Sequence, residues 1–231
     1  MLTVSPSIAP EIYRIAPGFR ALSISVKAAP VLNPNIGQTA LREACEAVLT
    51  GDPEWAESHL AAWAEVYQTF GAKPKRTPCS ADALRKRVSR DGTMPALDPI
   101  VDLYNAVSLR YAVPVGGENI AAYQSSPRLV VAKGTEPFDT VKDGESAIEY
   151  PSPGEVVWCD DAGVTCRRWN WRQGIRTRLD VEAQQMWFIL ESLPQMPLEM
   201  LHEAGKMLTD GLERMMPGLW FEVALIEEQC Q

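Results

Sequence analysis

The sequence predicts one domain of mixed α and β type, an α+β fold, on three observations. Apolar residues recur at helical spacing in several separate stretches, short apolar or alternating runs lie between them, and no composition break or low-complexity linker divides the 231 residues. At 46% hydrophobic and 23% charged, the chain is ordinary for a folded protein and long enough for a sizeable core.

Residues 10–28 contain two β-like runs split by Pro17-Gly18, the second alternating through Ala21, Leu22, Ser23, Ile24, Ser25 and Val26. Residues 38–49 read as a helix on Leu41, Ala44, Cys45, Val48 and Leu49. Residues 53–70 read as another, capped by Asp52 with Pro53 in the first turn, and with Leu60, Trp63, Ala64 and Tyr67 on its buried side. Ser80 caps a helix over 81–90 that Gly92 stops. The next helix, over 98–110, carries the stripe Ile100, Leu103, Tyr104 and Val107, then runs into Val113-Pro114-Val115-Gly116-Gly117, a tight bend. Beyond residue 127 the pattern turns to strands. Leu129–Ala132 is a strand, Lys142–Glu145 a turn, and 155–159 with 164–169 flank Asp160-Asp161-Ala162-Gly163 as a hairpin. A two-residue loop at Ala162-Gly163 sets Cys159 opposite Cys166. Residues 180–192 fit helix or strand, although Trp187–Leu190 suits a strand buried on both faces. Residues 197–216 form an amphipathic helix, and 219–226 a last strand.

Composition excludes several classes. No run of about 18 apolar residues exists, so no membrane-spanning helix is expected. The first residues lack the features of a secretory signal, and the cytoplasm is the expected compartment. Five scattered cysteines (Cys45, Cys79, Cys159, Cys166, Cys230) and two histidines argue against a disulfide framework or a zinc site, and no metal or other cofactor is expected. No GxSxG, HExxH or Walker loop is present, and His59 reads as a surface or half-buried helix residue.

Net charge is −8, which argues against a general nucleic-acid binder. The distribution is uneven: residues 73–90 carry +6, residues 167–178 carry +5, and the remainder −19. Either these stretches meet to form a basic site on an acidic body, or they are solvated faces in different places.

The most unusual string is Arg167-Arg168-Trp169-Asn170-Trp171-Arg172-Gln173. As a strand it presents Arg168, Asn170 and Arg172 on one face and Trp169 and Trp171 on the other. Guanidinium forks suit phosphate or carboxylate, and tryptophan stacks on bases or rings. The string reads equally well as a strand that buries its tryptophans and salt-bridges its arginines. Thr177 adds a hydroxyl nearby. A second polar stretch, Asp102–Asn105 with Pro114–Asn119, combines helix polar groups with small residues that let a ligand approach the backbone.

Three runs carry a resemblance: Ala83–Arg87 through Gly92, Pro99–Leu109, and Pro114–Gly117. They resemble the B3/B4 editing domain of the phenylalanyl-tRNA synthetase β-subunit. With Pro153–Val157, Asp160-Asp161 and the Arg/Trp string, residues about 10–215 resemble most closely the stand-alone proteins built from that domain. The resemblance implies mixed β-sheets, as a sandwich or partly open barrel, with helices packed outside. It implies hydrolysis of a mischarged aminoacyl-tRNA, so the expected partner is an aminoacyl-tRNA or an amino-acid-like ligand. Glu191 takes the place of the glutamate that recognises a tyrosine hydroxyl, Tyr104 stands where the synthetases have threonine, and Asn105 matches their asparagine. The family histidine is absent, with Gly116-Gly117-Glu118 in its place. Glu118 and Asn119, with backbone amides, are therefore the candidates for holding the hydrolytic water, and Glu191 joins them as a catalytic candidate, since ester hydrolysis needs a positioned water and a stabilised oxyanion rather than a covalent nucleophile. Tyr104, Asn105, Gly116, Gly117, Trp169, Asn170 and Thr177 are the candidates for binding the aminoacyl group. Arg85, Lys86, Arg87, Arg168 and Arg172 are the candidates for the phosphates. A non-catalytic binder that kept the pocket, and a hydrolase of small esters or amides, are the competing readings.

Overall fold

The computed structural model describes residues 4–228. The chain runs β1 (Ser7–Ile8), α1 (Pro10–Ile15), β2 (Arg20–Lys27), α2 (Asn35–Thr50), α3 (Ala56–Thr69), α4 (Ser80–Asp91) and α5 (Pro99–Tyr111). It continues through β3 (Val115–Asn119), β4 (Arg128–Val131), β5 (Phe138–Lys142), β6 (Glu145–Glu149), β7 (Val156–Cys159), β8 (Val164–Arg167), β9 (Arg172–Gln173) and β10 (Gln185–Ser192). Last come α6 (Leu198–Met215) and β11 (Trp220–Glu227).

The strands form two sheets. One is antiparallel in the order β11-β2-β10-β3; the other is mixed, in the order β1-β4-β7-β8-β5-β6, with β9 paired to β8. Strand β10 explains why the sheets stack. Its residues Met186, Phe188 and Leu190 join Leu22, Ile24 and Val26 of β2 beneath Leu103 and Val107 of α5 and Leu208 and Leu212 of α6. Its residues Trp187 and Ile189 face the other way, onto Trp158 of β7, Leu129 of β4, and Trp63 and Tyr67 of α3. Both faces are buried, so the sequence reads as a continuous apolar run rather than an alternation. The result is α+β, helices over sheet over sheet, with no closed barrel among the described residues. No helix among them is long and apolar enough to cross a membrane.

Helix boundaries follow local chemistry. Asp98 caps α5 by accepting from the Ile100 and Val101 amides, and Gly92 ends α4 in the left-handed conformation at φ 75°. Gly205 of α6 lies so close to β2 that a Cβ there would stand 2.3 Å from Leu22 Cδ2.

Several expectations are corrected. Pro10–Ile15 is a helix rather than a β-run: Pro10 occupies the first turn, and only Ile12 is buried. Neither Asp52 nor Ser80 is a cap; α3 starts at Ala56, and α4 follows Cys79 with no side-chain cap. Gly116-Gly117 is not a bend but the middle of β3, paired with Ile189 and Phe188 of β10. The hairpin at 160–163 forms, but a bulge pairs Cys166 with Trp158 and Cys159 with Val164, so the two cysteines are not opposite and both are free thiols. Cys230 lies outside the described residues.

Candidate functional site

A cavity of about 340 Å³ opens at the seam between the two sheets. Its floor is one face of the antiparallel sheet: Trp187, Ile189 and Glu191 of β10, with Gly116 and Glu118 of β3 beside them. Gly116 contributes no side chain, which leaves the space open. Gly117 points away, where a Cβ would stand 2.8 Å from Leu179 Cδ1. Trp158, Cys166, Trp169, Asn170, Trp171 and Gln173 form the wall, and α4 (Ser80, Leu84, Arg87) with α5 (Tyr104, Asn105) forms the roof.

The Arg/Trp string does not continue the strand. β8 ends at Arg167, and Arg168 and Trp169 take left-handed conformations, at φ 47° and 66°. Such conformations cost about 1–2 kcal/mol each for L-residues, so the surroundings must enforce them. They do. The Trp169 amide donates to Val156 O at 2.6 Å, the Arg168 amide donates to Glu155 at 3.1 Å, and the Trp169 ring packs edge-on to Trp63 at 5.2 Å and Phe19 at 5.0 Å. This turn breaks the expected alternation and points both Trp169 and Asn170 at Glu191.

Glu191 is buried beneath three donors: Trp158 Nε1 and Trp169 Nε1, each at 2.9 Å from Oε1, and Asn170 Nδ2 at 3.0 Å from Oε2. Tyr67 fixes the amide by donating to Asn170 Oδ1 at 2.7 Å. An ionised carboxylate accepts about four hydrogen bonds, so Oε2 retains one acceptor position. Burial pushes the Glu191 carboxyl up to about 7, while the indole and amide donors hold it back.

Glu118 is equally buried and less well satisfied. Gln173 Nε2 reaches Oε1 only at 3.4 Å, and Oε2 has no partner. Thr177, Thr165 and Gln173 stabilise its charge in part, but the hydroxyls of Thr165 and Thr177 close no hydrogen bond of good geometry. Burial pushes this carboxyl up to about 8. Arg87 is the one cation among the residues lining the cavity. The Cys166 thiol is held protonated, its pKa raised well above the usual range by burial and then by Glu118 and Glu191, which removes it as a nucleophile. Asn105 lines the roof with no side-chain hydrogen bond to another described residue.

The fold thus brings together Tyr104, Asn105, Gly116 and Glu118 with Trp169, Asn170, Glu191 and Arg87. Other candidates lie elsewhere. Asn119 caps the 3-10 turn Ile120–Ala122 through the Ala121 amide, and Thr177 sits behind Glu118 rather than on the wall. Arg85 is not free for phosphate: it is buried, bonded to Leu109 O and paired with Asp52. Lys86 is exposed and pairs with Asp82 at 2.6 Å. Arg168 lies outside the cavity, over the Trp171 ring at 4.4 Å, and Arg172 donates to Val141 O at the surface. Arg167 is locked into Glu155 at 2.8 and 2.9 Å. His59 is fully buried, not half-exposed; Nδ1 donates to Ala112 O at 2.9 Å, and Nε2 accepts from Leu193 N and Trp63 Nε1.

Sequence reasoning missed Trp187 of the floor and Trp158, Cys166 and Gln173 of the wall. The spacing of Trp187, Ile189 and Glu191 was the available signal, since alternate residues of a strand share a face.

Residues 62–218 match the B3/4 domain, a span that holds every element lining the cavity. The chain belongs to the B3/4 domain family. The fold is also similar to an N-terminal fragment of the phenylalanyl-tRNA synthetase β-subunit from Pyrococcus horikoshii, at 10% identity and a TM-score of 0.47. That similarity covers 95% of this chain and 50% of the other, so this B3/4 protein spans about half the length of that structure. No curated protein matches the sequence.

Proposed function

We propose that this B3/4 protein hydrolyses the ester of an aminoacyl-tRNA in the cavity between its sheets. The observation that carries the reading is that Glu118 and Glu191 both line one tryptophan-walled hollow whose one lining cation is Arg87. Two buried carboxyl groups favour a ligand that brings a positive charge or polar hydrogens, and the α-ammonium of an aminoacyl group does so. Its side chain packs against Trp158, Trp187 and Ile189. The free acceptor position on Glu191 Oε2 receives one polar hydrogen of the substrate.

Glu118 in its ionised form, the minority form below about pH 8, is the general base. A carboxyl poised near neutral pH takes a proton from water more effectively than an ordinary one. The water oxygen adds to the ester carbonyl carbon as its proton passes to Glu118 Oε2. Asn105 Nδ2 donates to the developing oxyanion. Collapse breaks the bond to the ribose oxygen, which leaves with the proton from Glu118, so free amino acid and unacylated tRNA are formed.

A non-catalytic amine binder is the second reading, favoured by the absence of the family histidine at Gly116–Glu118. The experiment that separates them measures amino-acid release from a panel of mischarged tRNAs by the purified protein and by Glu118→Gln. Release by the wild type, abolished in the variant, is the expected result. Ligand-dependent thermal stabilisation with no release from any tRNA would leave only the binder.

A further inference from the structure

The two basic stretches of the sequence meet at one place. Lys73, Arg76 and Thr77, on the loop between α3 and α4, share a hollow of about 280 Å³ with Arg168. The same loop turns Lys73, Lys75 and Arg76 toward a second hollow beside Gln68. All three cations are exposed, and among the described residues no carboxylate lies within ion-pairing distance of them. The basic residues of α4 differ: Arg85 is turned inward to Asp52, Lys86 holds Asp82, and Arg90 holds Asp91 at 2.7 Å.

Arg168 links this patch to the cavity. Its guanidinium stacks on Trp171, and the Trp171 ring is part of the cavity wall. Its only carboxylate neighbour among the described residues, Glu155 at 3.9 Å, is already held bidentately by Arg167, so Arg168 keeps donors to spare. On a body of net charge −8, such a patch is a local attractor for anions rather than a general nucleic-acid surface.

We infer that the 71–77 loop, with Arg168 and Trp171, docks the single-stranded 3′ end of an RNA. Lys73, Lys75 and Arg76 hold its phosphates, and a terminal base stacks at the Arg168–Trp171 pair on the rim of the cavity. This rests on the aminoacyl-ester reading of the cavity, because an ester carried on that terminal nucleotide would be presented to Glu118. A single strand fits better than a duplex: cations along a groove with one aromatic platform are the chemistry of strand-end binding.

The test is fluorescence anisotropy with unacylated tRNA, either intact or trimmed of its single-stranded 3′ end, over a range of salt. The Lys73→Glu/Arg76→Glu variant should bind intact tRNA at least about tenfold more weakly, with a salt slope smaller by about 0.7 for each phosphate that the loop no longer neutralises. Trimming should weaken wild-type binding similarly, and Lys86→Glu should change nothing. Both substituted loop residues are exposed, so the fold does not depend on them. Unaltered binding in the loop variant, indifference to trimming, or an equal weakening in Lys86→Glu would each overturn the inference. Hydrolysis of tyrosine ethyl ester by the wild type is the independent arm. If the loop variant fails to bind tRNA but no ester is cleaved, the docking surface stands and the cavity chemistry falls; if ester is cleaved but tRNA is not bound, the reverse holds.

Discussion

Replacing Glu118 by glutamine should stabilise this protein while abolishing the proposed ester hydrolysis. The carboxyl rises from 4.5 in the unfolded chain to about 8 in the fold because burial penalises its charge. Each pKa unit is worth about 1.4 kcal/mol, so the shift corresponds to ~5 kcal/mol as an upper bound. The sign follows from proton uptake. Below about pH 4.5 the group is protonated in both states and contributes nothing. Between about 4.5 and 8 the unfolded chain has lost the proton that the fold retains, so stability falls by about 1.4 kcal/mol per pH unit, and above about 8 the penalty is constant. Glutamine carries no such penalty, and its amide can donate to the hydroxyl oxygens of Thr165 or Thr177, which lack partners. At pH 7 the variant should gain ~3 kcal/mol, a Tm rise of about 6–12 °C at 2–4 °C per kcal/mol. Thermal unfolding of both proteins from pH 4.5 to 8.5 reads the effect. Each protein retains Glu191 and His59, so their difference isolates Glu118. A gain that does not grow with pH, or a variant less stable than wild type at pH 8, would refute the reasoning.

Other expectations concern the cavity and its frame. A Cβ at Gly116 would meet only Ile189 Cγ2, at 3.4 Å, so Gly116→Val should fill the hollow and cut turnover at least about tenfold with Tm changed by a few degrees at most; full activity would show that the substrate goes elsewhere. Arg85→Met should cost about 1–3 kcal/mol in urea unfolding, because the buried Leu109 carbonyl loses its donor, while tRNA affinity stays unchanged. Burial lowers the His59 pKa from 6.5 to about 4, so its contribution is complete above about pH 6.5 and is lost as the pH falls toward 4. A His59→Leu variant should lack that limb, so the stability of the wild type minus that of the variant should rise with pH from about 4 to about 6.5 and stay constant above it.

Much of the frame was legible in the sequence because it depends on neighbours along the chain. Gly92 marks a helix end through backbone groups a few residues away, and the α6 stripe from Leu201 to Leu212 declares one buried face, whereas the caps expected at Asp52 and Ser80 did not form. The α+β class, the 160–163 hairpin and the buried strand at Trp187–Leu190 follow from the same short-range patterns. Asn105 and Glu191 were named as site residues by resemblance to a family motif, and Glu118 because it stands where that motif's histidine is absent; no periodicity identified them.

What only the tertiary structure decided is which charges are free and which way the Arg/Trp string turns. Arg85 and Arg167 look like surface cations in sequence, yet Asp52 and Glu155 hold them from 33 and 12 residues away. Arg168 and Trp169 leave the strand because Glu155, Val156 and Glu191 capture their polar groups, which strand propensity does not encode. The pKa values of Glu118 and Glu191 arise in the same way. Their cause is removal of water by two sheets closing on each other, and a linear chain has no such interior until those sheets have packed.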